Sequence, residues 1–135
     1  DYPIDFFEPR IWHIRRPEPD QRELEAAVAA LRSASRPLIV AGGGGLYSGA
    51  EATLLDLART HNIPVVETQS GKGAMDWDDP LHFGSPGVTG TGCGNDLAAE
   101  ADLVIGVGTR FQDFTTGSWT VFAKPGRKLL SINIH

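Results

Sequence analysis

Three short stretches carry the residue types that hold small anions. Gly42-Gly43-Gly44-Gly45 follows the apolar run Leu38-Ile39-Val40-Ala41 and precedes Ser48-Gly49-Ala50-Glu51. Gly71-Lys72-Gly73 lies just after Pro64-Val65-Val66-Glu67, and Thr109-Arg110-Phe111-Gln112-Asp113 lies just after Leu103-Val104-Ile105-Gly106-Val107-Gly108. Glycine turns expose backbone N–H groups that can cradle a phosphate, and a helix N-terminus adds partial positive charge. Lys72 offers a point charge to a phosphate or a neighbouring carboxylate, whereas Arg110 offers a planar fork that grips either group bidentately. A purely structural reading competes at each place. Glycines also permit close packing and positive φ, Lys72 can be an exposed turn lysine, and Arg110 can pair with Asp113.

Spacing excludes the common nucleotide fingerprints. The sixth place from Gly42 is Tyr47 and from Gly43 it is Ser48, so G-x-G-x-x-G fails, and no Gly-Lys-Ser/Thr follows to make a P-loop. Asp76, Asp78 and Asp79 have Trp77 between them and Pro80 directly after, which reads as a solvated turn. His13, His61, His82 and His135 show no metal-ligand spacing and read as structural. Cys93, the single cysteine, has no nearby histidine base or basic residue and is expected to be an inert small core residue. No nucleophile–base pair stands out, so no catalytic or metal-binding residue is assigned.

The elements that must position these loops follow from periodicity. Asp20 caps a helix to Arg32, with Glu23 as the partner of a capping box and Leu24, Ala27, Val28 and Leu31 as one apolar face. Pro37 opens a strand through Ala41. Ser48 and Glu51 are expected to cap a second helix, which buries Leu54, Leu57 and Ala58 and ends at Asn62 in a left-handed cap. Pro64–Glu67 is a strand, Thr68 to Gly94 a long turn-rich segment, and Asn95 to Ala101 a short helix. Leu103–Val107 and Lys128–Ile134 are strands. Short, nearly all-apolar strands alternating with helices predict a doubly wound, mostly parallel, Rossmann-like α/β sheet. In such a sheet ligands bind beyond the carboxyl ends of the strands.

Composition bounds the partners. The 135 residues suit one domain, and 12 basic against 17 acidic residues give a net charge of −5. That balance argues against nucleic acid and anionic membrane surfaces. No apolar run approaches the roughly 20 residues of a membrane helix. One cysteine allows no internal disulfide and fits a reducing, cytoplasmic setting. Residues 1–19 hold Tyr2, Phe6, Phe7, Trp12 and four prolines, and read as an extended connector lying on a surface, with 20–135 as the folded domain. The chain opens without a methionine and stops on a strand pattern, so a piece of a longer protein is expected.

Taken in order, Pro37–Ala41, Gly42–Gly45, Ser48-Gly49-Ala50, Ile63-Pro64-Val65, Gly71-Lys72-Gly73, Asp79-Pro80-Leu81, Gly84, Gly87 and Ala101–Thr109 resemble the central domain of thiamine-diphosphate-dependent enzymes over residues 20 to 135. Within that superfamily, Thr109–Trp119, Thr68–Ala74 and the leading Phe6-Phe7-Glu8 and Trp12-His13-Ile14-Arg15-Arg16 resemble the trihydroxycyclohexanedione hydrolase family of myo-inositol breakdown, which opens a cyclic 1,2-dione by hydrolysing a carbon–carbon bond. The resemblance implies a domain without its last strand and helix. It also implies thiamine diphosphate and Mg2+ held by flanking pyrimidine and pyrophosphate domains, a homo-oligomer, and a fragment silent by itself. The related acetohydroxyacid synthases have a similar Arg-Phe-x-Asp segment, in which the arginine and the glycine loops touch FAD. This makes Gly42, Gly43, Gly44, Gly45, Gly71, Lys72, Gly73, Thr109, Arg110 and Gln112 the candidate contacts for FAD or ADP. A freestanding NAD enzyme, with Glu67 on the ribose, and an interaction module built on the aromatic leader are the other readings.

Overall fold

A computed structural model describes residues 1–13 and 15–134; Ile14 and His135, both named above, lie outside the described residues. Four parallel strands form one sheet in the order β2-β1-β3-β4, with β1 at Pro37–Ala41, β2 at Val65–Glu67, β3 at Leu103–Val107 and β4 at Lys128–Ile132. The helices are α1 (Gln21–Ser33), α2 (Gly43–Tyr47), α3 (Glu51–His61), α4 (Gly92–Glu100) and α5 (Asp113–Thr116). The doubly wound, Rossmann-like expectation is met.

Alternation along the strands distributes the core over two layers. Ile39, Ala41, Val65, Leu103 and Ile105 face α3 and the inner edge of α1, packing on Leu54, Ala58 and Leu31. Leu38, Val40, Val66 and Val104 face the other way, onto Ala98, Ala101, Phe111 and Phe122. Each fully buried aliphatic side chain contributes about 1.5–3 kcal/mol, which fixes β1 and β3 as the rigid centre. The β4 edge is different: Leu129 and Ile132 are half-exposed. So are Leu24 and Val28 of α1, whose predicted apolar face is covered only along Ala27, Ala30 and Leu31.

Several local expectations hold and several change. Asp20 caps α1 by accepting from the Arg22 and Glu23 N–H groups. Asn62 ends α3 at φ 52°, ψ 47°, the left-handed cap. The Ser48–Glu51 capping box does not form. Ser48 instead terminates α2, and α3 starts after Ala50 without a side-chain cap. α4 begins three residues before Asn95, because the Thr91 hydroxyl accepts from the Gly94 N–H and caps it. Cys93 is therefore exposed on that first turn rather than buried. β4 ends at Ile132, two residues short of the alternating pattern. Among its described residues the leader forms a 3-10 turn at Ile4–Phe7, and residues 1–13 are exposed. Tyr2, Phe6 and Phe7 stack on one another while remaining exposed.

Candidate functional site

Because β2 and β3 flank β1, the chain leaves β1 and β3 in opposite directions, and the switch in strand order opens at their carboxyl ends. Four segments meet there: Gly42–Tyr47, Thr68–Gly71, Gly108–Gln112 and Asn133-Ile134. They enclose a cleft of about 540 Å3 lined by Gly43, Gly44, Ser70, Thr109, Arg110 and Gln112 among others.

The glycines are mostly spent on packing. The Gly42 N–H donates to the Val107 carbonyl at 2.8 Å, and the Gly44 N–H to the Gly108 carbonyl at 3.0 Å. A Cβ on Gly44 would stand 2.8 Å from Gly108 Cα, and one on Gly43 would stand 2.8 Å from the Ser70 carbonyl oxygen. A Cβ on Gly42 would strike the Gly108 carbonyl, and one on Gly71 the Ala41 carbonyl. The four-glycine run is thus no open loop. It is the first turn of α2 pressed backbone to backbone on the loop after β3. Only Gly43 and Gly44 reach the cleft wall; Gly42 and Gly45 do not.

Arg110 is the cleft's cation. Its side chain is exposed, and among the described residues no ion pair or hydrogen bond engages it, so the pairing with Asp113 is not formed. Thr109 is buried beneath it, its hydroxyl accepting from the Phe111 N–H at 3.3 Å and its carbonyl from the Asn133 side-chain amide at 3.1 Å.

Lys72 goes elsewhere. It lines a neighbouring cleft of about 300 Å3 with Ser85 and Thr89, separated from Arg110 by the shared wall of Gln69, Phe114 and Thr115. Gly71 and Gly73 line neither cleft. The loop carrying Lys72 is fastened from below by Glu67, which is 3% exposed. One Glu67 oxygen accepts from the Gly73 and Met75 N–H groups at 3.1 and 2.9 Å, and the other pairs with His82 Nε2 at 3.2 Å. Both oxygens are engaged within the protein, so Glu67 is not free to hold the ribose of the NAD reading.

Asp79, expected in a solvated turn, is also corrected. Its side chain is 4% exposed and pairs with Arg59 at 2.7 Å. Its carboxyl is held below the ordinary range by the Leu81 N–H first and by Arg59 second. Asp102 likewise sits below the ordinary value, chiefly because it accepts from the Ser35 and then the Arg36 N–H groups. Sequence reasoning missed the polar cleft residues Gln69, Ser70 and Asn133. The run Thr68-Gln69-Ser70 at the end of a strand was the available signal for the first two, while Asn133 was hidden inside the strand assigned through Ile134. Among the described residues no group of three or more His, Cys, Asp or Glu could hold a metal ion, and no helix is long and apolar enough to cross a membrane.

Residues 24–135 match the family model described as thiamine pyrophosphate enzyme, central domain. Over 134 residues, 99% of this chain and 21% of the relative's length, the sequence is 46% identical to a 3D-(3,5/4)-trihydroxycyclohexane-1,2-dione hydrolase of Bacillus velezensis. Proteins of the same name from Clostridium perfringens and Bacillus subtilis are 45% and 42% identical over the same shares. The chain thus spans about one fifth, 21%, of the length of the curated relatives it matches. It belongs to the thiamine pyrophosphate enzyme central-domain family.

Proposed function

We propose that this member of the thiamine pyrophosphate enzyme central-domain family is the non-catalytic middle domain of a hydrolase that opens a cyclic 1,2-dione at a carbon–carbon bond in inositol catabolism. The observation that carries the reading is the 46% identity extending over 99% of the chain, leader included. No group of three or more His, Cys, Asp or Glu among the described residues could hold a metal ion, and the chain spans 21% of the relative's length. In this reading thiamine diphosphate, Mg2+ and the reaction belong to flanking pyrimidine and pyrophosphate domains, and no step of the reaction is assigned to this chain. Its role is to hold those domains in register within a cytoplasmic homo-oligomer. The exposed aromatics Tyr2, Phe6, Phe7 and Trp12 supply a surface for such a neighbour.

The test uses the full-length protein with thiamine diphosphate and Mg2+. Ring opening of a cyclic 1,2-dione, followed by proton NMR, should yield an open-chain carboxylic acid. An enzyme that forms no acid from any cyclic dione, yet condenses 2-oxo acids, would replace this reading with the acetohydroxyacid-synthase one.

A second reading concerns the Arg110 cleft and stands on a guanidinium that has no ion pair or hydrogen bond among the described residues. We infer that it takes the phosphate or carboxylate end of a small ligand, with ADP and FAD as probes. Arg110, Gln112, Ser70 and Gln69 fit one anionic end of such a molecule. The glycines supply packing and not a full cradle, so Gly42, Gly45, Gly71 and Gly73 are not proposed as contacts, and Lys72, which lines the adjoining cleft, is not proposed for the same phosphate. Calorimetric titration of ADP into the full-length protein checks this, and absence of heat at millimolar ADP speaks against it.

A further inference from the structure

The loop that presents Arg110 is built against the conformational preference of its residues. Gly108, Phe111, Gly117, Ser118 and Trp119 all have positive φ, between 52° and 66°. Three of the five carry side chains, and such residues persist in this region only where the surroundings over-determine them. Phe111 is the most constrained. Its φ is 52° and it is 9% exposed, with its ring turned into the core layer of Leu38, Val40 and Val104.

What holds the ring there is visible. It stacks on Trp119 at 6.0 Å with the planes 28° apart, and meets Phe122 edge-on at 6.1 Å. It occupies the space above Gly106, where an added Cβ would stand 2.6 Å from Phe111 Cζ. Trp119 is itself left-handed at φ 66° and 49% exposed, so its ring forms a lid over Phe111. The neighbours on either side, Arg110 and Gln112, are both exposed and both line the cleft. A left-handed residue with its side chain anchored inward turns the chain so that its two neighbours face outward together.

We propose that Phe111 and Trp119 are the positioning pair of the Arg110 cleft. They fix the backbone that carries Arg110 toward the cleft before any anion arrives, so that little loop-ordering cost remains at binding. This rests on the anion reading above, and it adds residues that do not touch the ligand at all.

Trypsin cuts after Arg110 only when the loop opens, which gives a readout that needs no ligand. The decisive variant is Trp119→Gly in the full-length protein. It leaves the Arg110–Phe111 bond unchanged, and glycine accepts φ 66° without strain. We expect native-state cleavage after Arg110, identified by mass spectrometry, to rise at least tenfold, with cleavage after Arg59 unchanged as an internal control. The Kd for ADP should rise at least tenfold, and Trp119→Phe should restore both. Phe111→Gly serves as the second variant, with the same increase expected. Unchanged cleavage after Arg110 in Trp119→Gly overturns the positioning pair, whatever the ligand data say. A wild-type protein that binds neither ADP, FAD nor inorganic phosphate, while Trp119→Gly shows faster cleavage, overturns the anion reading and leaves the aromatic pair standing. Equal acceleration at Arg59 and Arg110 means general loosening and also overturns it.

Discussion

The glycine seam and the arginine loop stand side by side at one sheet edge and are built in opposite ways. In the seam, Gly42, Gly44 and Gly108 lack side chains so that two backbones can touch, and their N–H groups donate to the carbonyls of Val107, Gly108 and Ile132. In the loop, Phe111, Ser118 and Trp119 keep side chains where glycine would be relaxed, and aromatic packing offsets the strain. The result inverts the usual inference from glycine-rich sequence. Here the glycines that look like a phosphate cradle mainly pack backbone on backbone, with Gly43 and Gly44 alone of the four at the cleft wall, and the cleft's guanidinium comes from a segment with a bulky, strained neighbour.

The comparison breaks most visibly at Gly108. Gly108→Ala must place a Cβ 2.5 Å from the Gly44 carbonyl carbon while φ stays at 62°, so a loss of about 4 kcal/mol or failure to fold is expected in denaturant unfolding. Gly45→Ala is the matched control. Its Cβ would meet Val107 Cγ1 at an ordinary 3.6 Å, and helix propensity favours alanine, so stability should hold or rise by up to about 1 kcal/mol. Equal damage at both positions would refute the packing account of the seam.

Next in size is Glu67→Ala, which strands the Gly73 and Met75 N–H groups and His82. About 2–3 kcal/mol should be lost, with hydrogen-exchange protection falling first in residues 72–75. Asp102→Ala removes the acceptor for Ser35 and Arg36 at a partly exposed site, and about 1 kcal/mol is expected. Because the folded Asp102 lies below its ordinary value of 3.8, with Ser35 the first cause, its contribution is fully present above that value. It is lost as pH falls through the lower folded value, so the gap between wild type and variant should narrow below pH 3.8. Smallest is Arg110→Ala, expected within about 0.5 kcal/mol of wild type, since the guanidinium has no partner among the described residues to lose.

The parallel sheet was legible because β1 and β3 are continuous apolar runs and β2 is apolar up to Glu67, a pattern that burial on both faces explains. The cap at Asp20 and the left-handed Asn62 were legible because each is set by one local residue. The start of α3 was not: Ser48-x-x-Glu51 has the right letters, but the preceding glycines already wind into α2, a tertiary consequence of docking on Gly108. Likewise Asp79 reads as solvated until Arg59, twenty positions away, closes over it. For the cleft, strand-end position pointed to Arg110, which lines it. Separation of Lys72 from it depends on Phe114 and Thr115 standing between the two clefts, which no local pattern encodes.

We have proposed that Arg110 serves a ligand cleft on a domain that takes no part in the ring-opening chemistry. The most direct measurement pairs two readouts on the full-length Arg110→Ala enzyme, the Kd for ADP by calorimetry and kcat for dione opening. The account predicts at least a tenfold rise in Kd with kcat within about twofold of wild type, the first figure corresponding to about 1.4 kcal/mol. A collapsed kcat with an unmoved Kd would contradict it and place Arg110 in the reaction machinery.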